Sequence, residues 1–355
     1  MTLADLGYTE SLEEFRNNQN LNNFEVGRIA SEHKERYQIK TAVGEFEGEI
    51  LGNLRFTAQS RADFPAVGDW VAISAYDEGK VLIHKVYPRK TIIARKAVSK
   101  KGEKQIIATN IDVAFIVQAV DRDFSINRAE RYLTICYAAK IKPVIILNKI
   151  DLVDAAKLEQ LVTTVTKRIK GVPIYTISNT SKQGINVLKQ LIEKGKTYCL
   201  LGSSGVGKSS LLNNLLGEAH MQTNEISSSN AKGRHVTTHR ELIVLQDGGI
   251  VIDNPGMREV GIADAAVGLE ETFNEILEYA QNCRFKDCTH TNEMGCAVLE
   301  AVDSGQLDSS AYDNFMKMER EQERFETTIA EKRKKDKAFG KMIKRVVKDR
   351  KSNKF

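Results

Sequence analysis

The stretch "LLGSSGVGKSS", Leu200 to Ser210, decides the fold: apolar residues that end a strand, a glycine-rich turn, and then the start of a helix. Gly202, Gly207, Lys208 and Ser209 fit the spacing G-x-x-x-x-G-K-[ST]. Glycine is required because the backbone must turn its N–H groups inward around a phosphate, and the helix N-terminus that follows adds a favourable dipole. The expected phosphate loop is Gly202, Ser203, Ser204, Gly205, Val206, Gly207, Lys208, Ser209 and Ser210. Lys208 is expected on the outer phosphates and Ser209 on magnesium. The motif alone leaves ATP and GTP both open.

"NKID", Asn148 to Asp151, narrows that choice. A carboxylate at the base edge, Asp151, accepts from both guanine N1–H and the exocyclic amine, whereas adenine offers no matching donor pair. Asn148 and Lys149 complete the signature, which follows the apolar run "PVIIL" at the strand end where ligands sit in open α/β sheets. "TISNTSKQG" follows another expected strand and offers Ser178 and Asn179 as a loop over the base. Two elements that sense the γ-phosphate are also legible. "DNPG" places Asp253 near magnesium and the Gly256 N–H toward the γ-phosphate. "GRHVTTHRE" supplies Thr238, or alternatively Thr237, as a magnesium-capping hydroxyl, after a serine-rich run from Ser227 to Gly233.

The order is therefore base-reading loop, phosphate loop, first switch, second switch, with the base-reading signature ahead of the loop it normally follows. A parallel sheet brings its loops to one edge, so the same site survives if the chain is cut at one connection and joined at another. The sequence accordingly predicts a circularly permuted nucleotide-binding domain.

Around it the pattern changes twice. Residues 1–23 read as a helical extension. Residues 24–100 read as short alternating segments, "YQIKTAVGEFEGEIL", "VGDWVAISAYDEGKVLIHKVY" and "TIIARKAV", which predict an antiparallel β-barrel of the OB-fold type with about five strands. Trp70, the single tryptophan, is expected as a core or rim residue rather than a base-stacking platform. Residues 101–263 alternate strands such as "VAFIVQAV" and "KPVIILNK" with helices, an α/β pattern with a parallel sheet, and "ELIVLQDGGIVIDNPG" reads as a hairpin at the sheet edge. Residues 264–325 are helical. No apolar run is long enough to span a bilayer and the start lacks an export-signal profile, so an intracellular, cytoplasmic protein is expected.

"CRFKDCTHTNEMGC" groups Cys283, Cys288, His290 and Cys296. Three thiolates and an imidazole make a closed tetrahedral shell that suits one structural zinc ion, and a metal-free reduced cluster is the plain alternative. Cys136 and Cys199 sit in apolar settings and read as buried hydrophobes. The net charge of +5 is unevenly spread. Residues 326–355 carry 12 Lys and Arg against 4 Asp and Glu, and the rest carries 40 against 43. This basic tail suits a polyanion such as RNA, or is a solvated segment.

The permuted motif order, the barrel ahead of it and the cysteine-rich helical segment behind it together resemble the RsgA (YjeQ/YloQ) family of circularly permuted, ribosome small-subunit-dependent GTPases. The resemblance covers about residues 24–325 and implies a GTPase, a late assembly factor of the small ribosomal subunit that contacts ribosomal RNA and leaves on hydrolysis. It implies a catalytic role for His235 in water positioning, beside the reading of that residue as structural. Met257, after "DNPG", cannot orient a water, so unassisted hydrolysis should be slow. Val236 stands where the family pattern has a first threonine, and Gly205 where potassium-stimulated GTPases carry asparagine, so potassium dependence is not expected. A monomer without membrane attachment is expected. An RNA-binding scaffold with structural guanine nucleotide is the alternative from another class, and an ATP-driven transporter or kinase would leave "NKID" unexplained.

Overall fold

The computed structural model describes residues 1–33, 35–96, 104–121, 124–217, 240–253 and 266–326. His235, Thr237, Thr238, Gly256 and the basic tail lie outside the described residues, as do Val236 and Met257.

A short 3-10 turn at Ala4–Leu6 and helix α1 (Glu10–Asn18) precede the barrel. Strands β1 (Glu25–His33), β2 (Arg36–Lys40), β3 (Glu45–Ile50), β4 (Trp70–Asp77) and β5 (Lys80–Val86) are hydrogen-bonded in the order β1-β2-β3-β5-β4, and β4 returns to β1 to close the barrel. The β3–β5 pairing is parallel and the others are antiparallel. Helix α2 (Gly52–Thr57) lies between β3 and β4. Period-two alternation points Ile29, Ile39, Val71, Ile73, Val81 and Ile83 into one buried core. Trp70 is buried beside Leu6, Leu21 and Tyr87, with Tyr8 edge-on to its ring at 5.0 Å. It is a core residue, and the extension at the chain's start is what covers it.

β6 (Ile92–Lys96) departs from the expectation. "TIIARKAV" is not a barrel strand; β6 pairs in its own ribbon with β7 (Lys104–Thr109). β4 closes the barrel on Glu25–Arg28 of β1, and the rest of β1 on that side meets β12, so β6 joins neither edge.

The α/β part runs β8 (Val113–Ala119), α3 (Ile126–Ala138), β9 (Lys142–Asn148), α4 (Ala155–Arg168), β10 (Ile174–Ile177), α5 (Ile185–Leu191), β11 (Thr197–Leu201), α6 (Lys208–Leu216), β12 (Glu241–Val244) and β13 (Ile250–Asp253). Strand order is β10-β9-β8-β11-β13-β12, parallel except for β12. Apolar residues of α3 and α4 pack on one face of this sheet and those of α5 and α6 on the other. The expected hairpin of β12 and β13 is present at the edge of this sheet, with β13 against β11 and β12 outermost, and β12 meets β1 of the barrel through the pair Ser31–Glu241. From β8 the chain adds strands outward to β10, then crosses back to place β11 on the other side of β8. That reversal is the crevice where ligands of open α/β sheets bind.

Helices α7 (Ala266–Thr272), α8 (Asn274–Ala280), α9 (Ala297–Asp303) and α10 (Ser309–Glu326) form a third core of Leu269, Phe273, Ile276, Val298, Phe315 and Met318. They dock on α3. Gly268 permits the crossing, because a Cβ there would lie 2.1 Å from the Thr134 carbonyl oxygen and 2.9 Å from the Ala138 Cβ. Around that contact Arg131 makes a bidentate pair with Glu321 at 2.6 Å. Buried Glu130 accepts from Arg168 at 2.6 Å and from the Asn314 amide at 2.6 Å; burial nevertheless pushes the Glu130 carboxyl above its ordinary pKa.

The barrel is fixed to the sheet by Arg28, which is 1% exposed. Its guanidinium donates to the carbonyls of Leu6 (2.5 Å), Gly68 (3.3 Å) and Asn110 (3.3 Å) and to Thr197 Oγ1 (2.8 Å). One side chain thus joins the N-terminal extension, the barrel, the ribbon and β11. Burial lowers its pKa to about 10, which leaves it charged at neutral pH. Arg28→Ala strands several buried acceptors at once and is expected to lower stability by about 3 kcal/mol, seen as an earlier thermal unfolding transition. An unchanged transition would show that the junction is held elsewhere.

Candidate functional site

The residues singled out in the sequence come together at the carboxyl edge of the parallel strands. Asn148 ends β9, Ser178 follows β10, Gly202 follows β11 and Asp253 ends β13. The phosphate loop leaves β11 with Gly202 at φ 148°, Gly205 at φ 82° and Gly207 at φ 97°, conformations that only glycine adopts without strain. Gly202 also lies so close to β8 that a Cβ would be 2.4 Å from the Val117 carbonyl oxygen. Gly207 caps α6, whose first residues are Lys208, Ser209 and Ser210, so the loop's N–H groups and the helix N-terminus face the same edge.

Two asparagines clamp this loop. Asn148 Nδ2 donates to the Val206 carbonyl at 2.7 Å, and Asn179 Nδ2 donates to the Gly207 carbonyl at 2.9 Å. The Asn179 backbone N–H in turn donates to Asn148 Oδ1 at 3.3 Å. "NKID" and the phosphate loop, in inverted order along the chain, are thus joined by direct hydrogen bonds. Ser178 Oγ donates to Asp151 Oδ1 at 2.5 Å, which orients the carboxylate from the neighbouring loop.

The cations are distributed around the loop. Lys208 Nζ donates to the carbonyls of Gly202 (2.9 Å) and Ser203 (2.6 Å). Lys149, in a left-handed conformation at φ 67°, pairs with Asp121 at 2.8 Å. Arg128, on α3, donates to Ser203 Oγ at 2.6 Å. Asp253 is 6% exposed at the end of β13, a carboxylate one strand away from the loop.

Three of these participants were not singled out from the sequence: Asp121, Arg128 and Asn214. Asn214 lies on α6 and donates its amide to Asn179. Its only sequence signal is a polar residue among the leucines of "LLNNLLG". Arg128 and Asp121 carry no spacing that separates them from ordinary surface charges.

A second site stands between α8 and α9. The ligand atoms of Cys283, Cys288, His290 and Cys296 all lie within 4.8 Å of one another. His290 Nδ1 is 3.6 Å from Cys283 Sγ and 3.5 Å from Cys296 Sγ, and those two sulfurs are 3.9 Å apart. A tetrahedral shell with metal–sulfur bonds of about 2.3 Å has edges of about 3.8 Å, so the donor set fits a single tetrahedral ion. Burial raises the Cys283 thiol, but the backbone N–H groups of Val298 and Ala297 at the start of α9, together with the Cys288 and Cys296 thiols, hold it below its ordinary value. Burial lowers His290, which favours the neutral imidazole a metal requires, and raises Cys288 to about 11. Behind the cluster Tyr312 OH donates to the His290 carbonyl at 2.6 Å, tying the loop to α10.

Comparison with known proteins agrees with this arrangement. A family model described as RsgA GTPase matches residues 86–263. A second, described as ABC transporter, matches residues 185–343; it takes in the phosphate loop but not Asn148 to Asp151. The chain is 41% identical over 329 residues to Small ribosomal subunit biogenesis GTPase RsgA 1 of Bacteroides thetaiotaomicron, covering 92% of this chain and 91% of that one. It is 39% identical to RsgA 2 of Vibrio vulnificus, covering 98% and 96%. Among solved structures it resembles YjeQ from Thermotoga maritima, with 28% identity and a TM-score of 0.61 over 83% of this chain and 96% of that one. The fold is also that of YloQ, described as a circularly permuted GTPase, with a TM-score of 0.59 over 85% and 96% at 23% identity.

Cobalt(II) added to the reduced protein is expected to give the intense visible bands of tetrahedral thiolate coordination. Cys288→Ser is expected to weaken that binding by more than about 10-fold. Weak bands of octahedral type would mean that the four donors do not act as one shell.

Proposed function

The chain belongs to the RsgA GTPase family, and on that premise we propose that it is a GTP-hydrolysing late assembly factor of the small ribosomal subunit. The observation that carries the reading is the pair of amides from Asn148 and Asn179 on the phosphate-loop carbonyls of Val206 and Gly207. A loop that reads a base and a loop that cradles phosphates form one continuous rim there, as a single guanine nucleotide requires.

In this reading Asp151 accepts from guanine N1–H and the exocyclic amine, with Ser178 and Asn179 over the base edge. The backbone N–H groups of residues 203–209 surround the phosphates. Lys208 exchanges its contacts with the Gly202 and Ser203 carbonyls for the outer phosphate oxygens. Water attacks the γ-phosphorus, the bond to the β–γ bridging oxygen breaks, and GDP and inorganic phosphate leave. Met257 leaves no glutamine to orient that water, so turnover without a partner is slow, and His235 is the residue assigned to water positioning. Magnesium, held by Ser209, Asp253 and Thr238, would neutralise charge on the β- and γ-phosphates; the hard oxygen donors and the position of Asp253 beside β11 suit it. Gly256 is assigned to the γ-phosphate through its N–H.

The Cys3His cluster is assigned one structural zinc ion, since all four donors belong to the protein and none of the tetrahedral positions remains for water. Ribosomal RNA is the partner assigned to the barrel and the basic tail. No helix among the described residues is long and apolar enough to cross a membrane. We assign the protein to the cytoplasm, as a monomer.

Purified small subunits are expected to raise multiple-turnover phosphate release by at least about 10-fold, where large subunits or naked RNA do not. Equal release with and without small subunits would overturn the assignment. Asp151→Asn is expected to weaken GTP binding by about 100-fold, because the replaced oxygen can no longer accept from guanine. Chelation of zinc should melt the α7–α10 domain first and leave nucleotide affinity within about two-fold, since that cluster packs around its own core.

A further inference from the structure

Guanine selectivity depends on where the Asp151 carboxylate points, and the contacts that set its direction can be followed outward. Ser178 Oγ accepts from the Ser181 backbone N–H at 3.0 Å, which turns its own proton toward Asp151 Oδ1. The orientation of the carboxylate therefore depends on the placement of the 178–182 loop. A loop this short has no core of its own, and something outside it must fix it.

Asn179 is where it is fixed. Its side-chain amide reaches the Gly207 carbonyl and its N–H reaches Asn148, while its backbone carbonyl and its Oδ1 both face α6. There a single group, Asn214 Nδ2, donates to both oxygens, at 3.2 Å and 3.1 Å. The Asn214 Oδ1 that remains accepts from Lys182 Nζ, at the far end of the same loop. Asn214 thus holds the loop at two points from a helix whose first residues, Lys208 and Ser209, belong to the phosphate loop. Six residues along α6 span about 9 Å, so one rigid element carries the phosphate-binding end and the support for the base-reading end.

We infer that Asn214 is a specificity-positioning residue: through Asn179 and Ser178 it aims the Asp151 carboxylate at guanine. The inference rests on the guanine reading of the site. Its donor function is what matters, because only an N–H at this position satisfies both Asn179 oxygens. Lys182 supports from outside and is exposed at the surface, so it contributes less.

The test compares GDP, IDP and ADP binding to the full-length wild type, Asn214→Ala and Asn214→Asp, by competition against a fluorescent guanine nucleotide. IDP lacks the exocyclic amine that Asp151 accepts from, so the GDP-to-IDP affinity ratio reports the aim of that carboxylate. Both substitutions are expected to lower GDP affinity roughly 10-fold and to shrink the GDP-to-IDP ratio by roughly five-fold. Asn214→Asp keeps the shape and the acceptor for Lys182 but loses the donor, so it should resemble Ala rather than wild type. Alanine is the best helix former, so α6 should persist, and an unchanged melting temperature checks that. A wild type that binds GDP no better than ADP would refute the guanine reading itself. A guanine-selective wild type whose variants keep its GDP-to-IDP ratio would overturn the role of Asn214, including the case in which GDP and IDP weaken equally through the phosphate loop.

Discussion

Gly207 is the point at which the base-reading and phosphate-loop motifs of the candidate site are joined, and the join tolerates no side chain. A Cβ there would lie 2.3 Å from Asn148 Nδ2 and 2.8 Å from Asn179 Nδ2, inside any allowed contact distance. Both amides need that space to reach the carbonyls of Val206 and Gly207. Three loops, after β9, β10 and β11, consequently act as one rim held together by the protein's own hydrogen bonds. Preorganisation of this kind reduces the ordering cost of binding.

The same hydrogen bonds explain why the motif order along the chain is free to vary. Asn148 and Val206 are 58 residues apart in sequence, yet the partner each needs is set by strand neighbours: β9 beside β8, and β8 beside β11. Parallel strands deliver all their following loops to one edge, so chain order does not enter the geometry. Permutation costs the site nothing provided the junctions fall elsewhere. They do: the ribbon and barrel lead into β8, while the helical domain follows β13.

Legibility in the sequence tracked how local each constraint is. The phosphate loop, "NKID" and the cysteine cluster were readable because ligand chemistry dictates both residue type and spacing within a few positions. The barrel was readable from period-two alternation, but β6 was misassigned. A β-rich run looks the same whether it closes a barrel or forms a ribbon with β7, and only long-range pairing separates the two. The hairpin of β12 and β13 stands at the edge of the parallel sheet as its sequence implies; the contact of β12 with β1 of the barrel has no local signal. Asn214, Arg128 and Arg28 carried almost no signal: each is an ordinary polar residue whose meaning comes from partners in other elements. Gly268 is similar, a glycine inside a helix whose reason is the backbone of α3 rather than any turn.

The barrel and the helical domain are attached to the sheet in physically different ways. At the barrel junction a fully buried guanidinium is shared among four segments, and the β1–β12 pairing extends the sheet across it. Moving the barrel would strand a charge and its acceptors together, a concerted loss that makes the two parts one body. The helical domain instead rests mainly on α3, by close backbone contact at Gly268 and by the Arg131–Glu321 and Glu130–Asn314 links, with the pairs Arg168–Asp308 and Lys170–Glu275 added from the end of α4. Helix α3 also touches the phosphate loop, because Arg128 at its first turn holds Ser203 Oγ. Successive turns of α3 therefore contact first the glycine-rich loop and then the domain that carries the Cys3His cluster, without passing through the barrel. Of the two appended domains, the helical one thus shares a helix with the glycine-rich loop through Arg128, whereas the barrel meets the sheet at Arg28 and along β1–β12.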